Sequence, residues 1–379
     1  MDVNVFMSGF KLPPISTLAG TTIGNYIKVL QKGKIDRQYY LMTVITFLII
    51  VIATPFHIWE RLRFWKVHTR QKETMPPIFI LGHWRSGTTF LHNVLCKDPR
   101  AAYLTTYHSL FPNNLGSKLL FRTFMRLNMP DKRPSDNVKL NVDYPQEDDF
   151  ALGNSCDVSY YNFFYFPQNY RQFYEEAIHM RISQKRKERW QQGYKTLLAK
   201  AIVNTSGERL VIKNPVNTGR VGELLALYPQ AKFIYIYRNP YVVFLSTQKF
   251  FRSLCPTLWF HSVSDDFIDD LIFDVFSRLI EDYEGQKHLI PSENLMEVRF
   301  EHFEISPIKT IESVYGELLG EEFDDIVKGP ISAYLDDLKG YRKNTYQIER
   351  KYYERIQREW GFFLRDKQYE LPDNIKVID

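Results

Sequence analysis

Phe79 to His92 reads FILGHWRSGTTFLH. Gly82 and Gly87 have the G-x-x-x-x-G spacing of a nucleoside-triphosphate loop, whose next two residues are Lys and Ser or Thr. Here those positions hold Thr88 and Thr89. A continuous apolar run, Ile78 to Leu81, enters the loop as a buried strand, and Thr88 to Cys96 leaves it as a helix. Strand, glycine loop and helix form a cradle of backbone N–H groups at a helix N-terminus, which suits a phosphate oxyanion. Thr88 cannot extend to outer phosphates as a lysine does, and Arg85 brings positive charge from inside the loop. The expected ligand is a nucleotide with a short 5′-phosphate group and no triphosphate–magnesium assembly.

Two further segments carry cations at the ends of apolar runs. FIYIYRNPYVVFLS places Arg238 at a strand end and Ser246 eight residues later, in the following helix, so both can face one phosphate. LVIKNPVN ends another strand on Lys213, 25 residues before Arg238. In this order and on these elements, the segments resemble the sulfotransferases that use 3′-phosphoadenosine 5′-phosphosulfate (PAPS), closest to their bacterial-type branch. The resemblance runs from Pro76 to the C-terminus. Trp84 replaces the family's common Pro, and Arg85 stands where cytosolic members have Lys.

The resemblance implies a role for each matching residue. Arg85, Ser86, Gly87, Thr88 and Thr89 hold the 5′-phosphosulfate, and Arg238 and Ser246 hold the 3′-phosphate. Lys213 and Arg85 neutralise charge on the leaving phosphate, and the N–H groups of Ser86 to Thr89 hold it by electrostatic preorganisation. Arg342 and Lys343, in GYRKNTY, close over the nucleotide, or form a solvated basic turn. Pro215 occupies the position of the histidine base of cytosolic members, so another group must take the acceptor proton. DYPQEDDFAL offers Asp143, Glu147, Asp148 and Asp149. Such a cluster also suits a helix N-terminus, where carboxylates favour the dipole. Carboxylates crowded near a basic site raise one pKa, as a base needs. The motif's likeness to the acidic motif of the resembling branch favours Glu147, with His108 in TTYHSLFP as the second candidate. His83 reads as loop support. No His, Cys or carboxylate spacing suggests a metal.

These residues require an α/β scaffold that brings strand ends together. Leu210 to Ile212, Phe233 to Tyr237 and Leu295 to Phe300 are further strand candidates. Trp190 to Ile202 and Phe267 to Leu279 carry apolar residues at helical spacing. The alternation predicts a P-loop-like domain with a central, mostly parallel sheet flanked by helices. The acidic pairs at 265–266 and 269–270, and the basic run 185–189, read as solvated helix faces. Residues 76–379 are assigned to this sulfotransferase domain, and residues 1–75 to an N-terminal helical segment.

That segment contains LMTVITFLIIVIATPFHIW, Leu41 to Trp59, nineteen residues without formal charge. Its length approaches a bilayer crossing. Cations lie on both sides (Lys28, Lys32, Lys34 and Arg37 before, Arg61, Arg63, Lys66 and Arg70 after), so the positive-inside rule gives no orientation. A spanning helix, a monotopic helix and a buried helix all remain open, with membrane association favoured. Net charge is +5 over 379 residues, which suits an anionic small ligand or membrane but not nucleic acid. Three widely spaced cysteines point to a reducing compartment, so the catalytic domain is expected on the cytoplasmic side. With 24 Tyr and 28 Phe, aromatic runs such as SYYNFFYF (Ser159 to Phe166) build a bulky core or line an apolar pocket. Together with the N-terminal segment, this favours a lipid-like or sterol-like acceptor alcohol, with a carbohydrate hydroxyl next. A P-loop kinase and an inactive membrane-tethered nucleotide-binding module are the competing readings. The oligomeric state is not written in any motif.

Overall fold

The computed structural model describes residues 15–67, 75–129, 141–338 and 346–379. Its strands are β1 (Met75–Leu81), β2 (Ala101–Ala102), β3 (Arg209–Lys213), β4 (Lys232–Tyr237) and β5 (Leu295–Arg299). They form one parallel sheet in the order β2-β3-β1-β4-β5. β1 lies at the centre because Ile78 to Leu81 has no side chain suited to water on either face. Ile80 pairs with Lys213 and Leu81 with Tyr235, so the ends of β3 and β4 flank the start of the glycine loop. A ligand crevice outside the carboxyl ends of the strands follows from this topology. The expected α/β architecture is therefore observed. A second, two-stranded parallel sheet, β6 (Tyr346–Glu349) with β7 (Ile375–Ile378), has no counterpart in the sequence reading.

The helices used below are α1 (Ile23–Leu30), α2 (Tyr40–Phe64), α3 (Thr88–Leu95), α4 (Lys118–Asn128), α5 (Asp148–Ser155), α6 (Gln184–Thr205), α7 (Pro240–Leu254) and α8 (Asp265–Gln286). On one side of the sheet, Leu91 and Val94 of α3 join Ile80, Ile234 and Ile236 in a core. On the other, Ile272, Phe276 and Leu279 of α8 join Phe79 and Leu81. Tyr26, Val29, Met42 and Ile50 belong to that same second core. Residues before β1 thus pack into the same core as the sheet.

Two surface readings change. Asp269 is not on a solvated face: it is buried and accepts from Gln248 (2.9 Å), Arg252 (2.8 Å) and the Tyr352 hydroxyl (2.5 Å). The aromatic run 160–166 does not line an open pocket. Its rings are buried, and Phe163 and Phe164 pack on Phe251 with centroids at 5.8 and 5.9 Å. An apolar run with no polar alternation seeks the core wherever the fold offers one.

Candidate active site

The loop after β1 is shaped by two left-handed glycines. Gly82 has φ +137°, and a Cβ there would lie 2.2 Å from the Ile236 carbonyl of β4. Gly87 has φ +96°, and a Cβ would overlap the Phe300 ring at 2.1 Å. Only glycine fits either place. Arg85 also has positive φ, at 69°. Trp84 is buried beside Tyr160, Tyr161 and Phe251, so the residue that replaces proline anchors the loop in the aromatic core. His83 is buried, its Nδ1 2.9 Å from the Trp84 carbonyl, and burial pulls its pKa down to about 4. It supports the turn as expected. The Ser86 amide donates to the His83 carbonyl at 3.2 Å and so closes the loop. The first-turn amides of α3, those of Thr88 and Thr89, have no partner within the helix.

β4 ends on Tyr237, Arg238 follows it directly, and Asn239 starts α7 by accepting from the Tyr241 amide at 3.1 Å. Arg-Asn-Pro is thus a strand stop followed by a helix cap. One turn and a half into α7, Ser246 accepts from Arg85 Nε at 2.8 Å, and Arg238 donates to the Arg85 carbonyl at 3.4 Å. The structure therefore brings Arg85, Arg238 and Ser246 together. Arg238 is half-buried over the Phe300 ring at 4.2 Å, and burial lowers its pKa from the ordinary arginine value. No carboxylate forms an ion pair with it among the described residues. A desolvated guanidinium held against the glycine loop suits an anionic ligand.

On the β3 side, Glu147 occupies the N-cap position of α5 but makes no capping bond. Its carboxylate instead accepts from Lys213 Nζ on one oxygen and from the Tyr161 hydroxyl on the other. Lys213 is 3% exposed and Glu147 13%. The next two acids face inward. Asp148 accepts from Tyr194 and, at 2.5 Å, from Asn214. Burial, opposed chiefly by Arg220, pushes its pKa up to about 6. Asp149 pairs with Arg220 at 3.1 Å, both fully buried, and accepts from Ser159 and the Tyr161 amide. Thr218, in the turn after β3, accepts from the Gly82 amide at 2.8 Å. The acidic motif, the turn after β3 and the glycine loop are thus tied by buried hydrogen bonds. Asp143 lies apart, paired with Arg122.

The sequence reading missed Tyr161, Asn214, Thr218 and Arg220. The signals for Asn214 and Thr218 were their places directly after Lys213. Tyr161 sat unremarked in the aromatic run, distinguished from the phenylalanines around it only by its hydroxyl. His108 is not brought to this cluster. It is fully buried with no hydrogen-bond partner on either ring nitrogen among the described residues, and burial pulls its pKa down to about 3. The cations affecting it are Lys200 and Lys118, not those of the loop. Arg342 and Lys343 lie outside the described residues.

A sulfotransferase-family model matches residues 76–325, which include the glycine loop, the acidic motif and Lys213 through Ser246. The omega-hydroxy-beta-dihydromenaquinone-9 sulfotransferases Stf3 of Mycobacterium bovis and Mycobacterium tuberculosis are 28% identical over 329 residues, covering 86% of this chain and 83% of theirs. The crystal structure of sulfotransferase STF9 from Mycobacterium avium superposes with a TM-score of 0.64 at 14% identity, over 93% of this chain and 98% of that one. That of STF1 from Mycobacterium tuberculosis gives 0.61 at 16%, over 82% and 85%. These likenesses extend the shared fold well beyond the loop. With two thirds of its length matched by the family model, this chain belongs to the sulfotransferase family and is a transferase enzyme.

Proposed function

We propose that this enzyme moves a sulfuryl group from PAPS to the hydroxyl of a lipid-like alcohol at a membrane, with its catalytic domain on the cytoplasmic side. The observation that carries this reading is the Glu147 carboxylate held between Lys213 and Tyr161, within the bond network that also reaches the glycine loop. Bound PAPS supplies a sulfuryl group on a stable phosphate leaving group. The residues supply the rest. Glu147 takes the acceptor proton, since an ionised carboxylate is an acceptor only. Once protonated, it attracts Lys213 less, and the ammonium is freed toward the charge growing on the leaving phosphate. Arg85 and the first-turn amides of α3 meet the same charge in fixed positions. Arg238 and Ser246 read the 3′-phosphate. Thr88 is 3% exposed, so nothing at that position reaches out as a kinase lysine does.

A lipid acceptor is supported by the relatives, whose name places their acceptor on a menaquinone, and by α2, which is long and apolar enough to cross a membrane. The three cysteines are free, which supports the reducing side. The test is transfer from labelled PAPS to an ω-hydroxylated menaquinone, a sterol and a sugar in detergent, with labelled ATP alongside. Calorimetry with 3′,5′-bisphosphoadenosine and 5′-AMP tests the nucleotide site. The parent should prefer the bisphosphate, and Arg238→Ala should remove most of that preference, about 1.5–3 kcal/mol for a charge-assisted bond. Equal affinity of the parent for both nucleotides, or transfer from ATP, would overturn the reading.

A further inference from the structure

α2 has two unlike faces. Met42, Thr46, Ile50, Ala53, His57 and Glu60 recur every three or four residues and are buried against the domain. Polar bonds hold this stripe along its length. Thr46 accepts from the Ser16 amide at 3.0 Å, and His57 Nε2 lies 3.1 Å from Asn114 Oδ1. Glu60 accepts from the Gly116 amide at 2.6 Å and pairs with Lys200 at 2.8 Å. The opposite face is apolar and open, with Ile52 72% and Leu62 71% exposed. Glu60 is the only acid in α2, and it is buried, so the open face carries no negative charge. Trp59 and Trp65 stand exposed toward the C-terminal end of α2, and Tyr40 at the N-terminal end.

The open face continues onto α4. Phe121 packs edge-on against Phe56 at 5.4 Å, and the Trp59 ring covers Gly116 just before α4. Leu119 is then 85% exposed. Beside the last turn of α2 lies a groove of about 760 Å³, lined by Arg61 with Lys185 and Arg189 of α6. Glu188 is the one acid in its lining. Arg61, Lys185 and Arg189 form no ion pair among the described residues. Contiguous exposed apolar surface with adjoining cations matches two layers of one bilayer leaflet, hydrocarbon and charged headgroups.

We infer that α2 lies in the plane of the membrane, docked on its own domain. Its open face, with Leu119, enters a single leaflet, and Arg61, Lys185 and Arg189 take the headgroups of anionic phospholipid in that leaflet. A crossing is opposed by the buried stripe. It would strip Thr46, His57 and Glu60 of their partners and place them in hydrocarbon, where each needs a polar partner. The inference deepens the membrane association proposed above and does not depend on the transfer chemistry.

Topology is read with Lys34→Cys and Lys66→Cys in the full chain on sealed vesicles, using a membrane-impermeant maleimide and the parent protein as background. Both positions should label from the same side. Labelling of one from each side would overturn the in-plane placement. Headgroup recognition is read by flotation on phosphatidylcholine vesicles with and without phosphatidylglycerol. The parent should bind the anionic vesicles more tightly. Combining Arg61→Gln, Lys185→Gln and Arg189→Gln should lower that binding about 10²-fold, roughly fivefold for each lost cation, and leave binding to neutral vesicles unchanged. Equal binding of parent and triple variant would overturn the headgroup assignment. Ile52→Asp with Leu62→Asp should abolish flotation on both vesicles while circular dichroism stays at the parent signal. A parent that fails to float, and is a dimer converted to monomer by that pair, would show that a second copy covers the face.

Discussion

Two of the lysine–glutamate pairs in this molecule are alike in burial, and their surroundings separate them. Glu60 of α2 meets Lys200 of α6 at 2.8 Å, with 2% and 10% of the side chains exposed. Glu147 meets Lys213 with similar burial, 13% and 3%. The first pair has only structural company: the Gly116 amide on Glu60 and the Pro112 carbonyl on Lys200. Burial lowers the Lys200 pKa, opposed by Glu60. The second pair shares its carboxylate with Tyr161, and its lysine ends the strand beside the glycine loop. One pair fastens a helix to a domain. The other holds a carboxylate and a cation together beside the glycine loop, where the proposed transfer changes the charge. Residue types and distances alone do not tell them apart; the next contacts do.

Glu147→Gln should break the second pair with the largest effect. Turnover should fall by ~10²–10⁴-fold, the usual worth of a general base, while calorimetry gives parent affinity for 3′,5′-bisphosphoadenosine. A Glu147→Gln enzyme with parent turnover beside an inactive His108→Asn would move the base to His108.

Glu60→Gln should break the first pair and leave chemistry intact. Stranding a buried ammonium costs about 3–5 kcal/mol, read as a lower denaturant midpoint. Turnover of a soluble alcohol per folded molecule should match the parent. Adding Lys200→Met should restore much of the midpoint, because no buried charge is then left unpaired. A midpoint unchanged in Glu60→Gln would mean that α2 is not anchored through this pair.

A smaller effect sharpens the contrast between Glu147 and its neighbour. Burial holds Asp148 at about 6 in the fold, against an ordinary aspartate value of 3.8. Between those values the folded protein binds more protons than the unfolded chain, so this group makes the fold less stable as pH rises from about 4 to about 6. The effect is on the order of 3 kcal/mol. Asp148→Asn should flatten stability over that window, whatever it does to the midpoint at neutral pH. A slope equal to the parent's would place the titrating group elsewhere.

The parts legible in the sequence were those whose signals lie within a few residues. The apolar run 78–81, the glycine spacing and the Arg-Asn-Pro stop specify strand, loop, helix and cap through backbone sterics and hydrogen-bond supply, and these act locally. The order of cations along the chain then pointed to the family. Tertiary structure decided which distant groups meet. Glu147, Tyr161 and Lys213 converge only after the sheet has closed, and nothing near Tyr161 in sequence marks its hydroxyl as the one that turns toward a carboxylate. It also decided the standing of α2. Its composition satisfies a crossing, a surface helix and a core helix equally, because hydropathy sums over all faces. The difference lies in which stripe is covered, and Thr46, His57 and Glu60 acquire partners only when the domain folds beneath them.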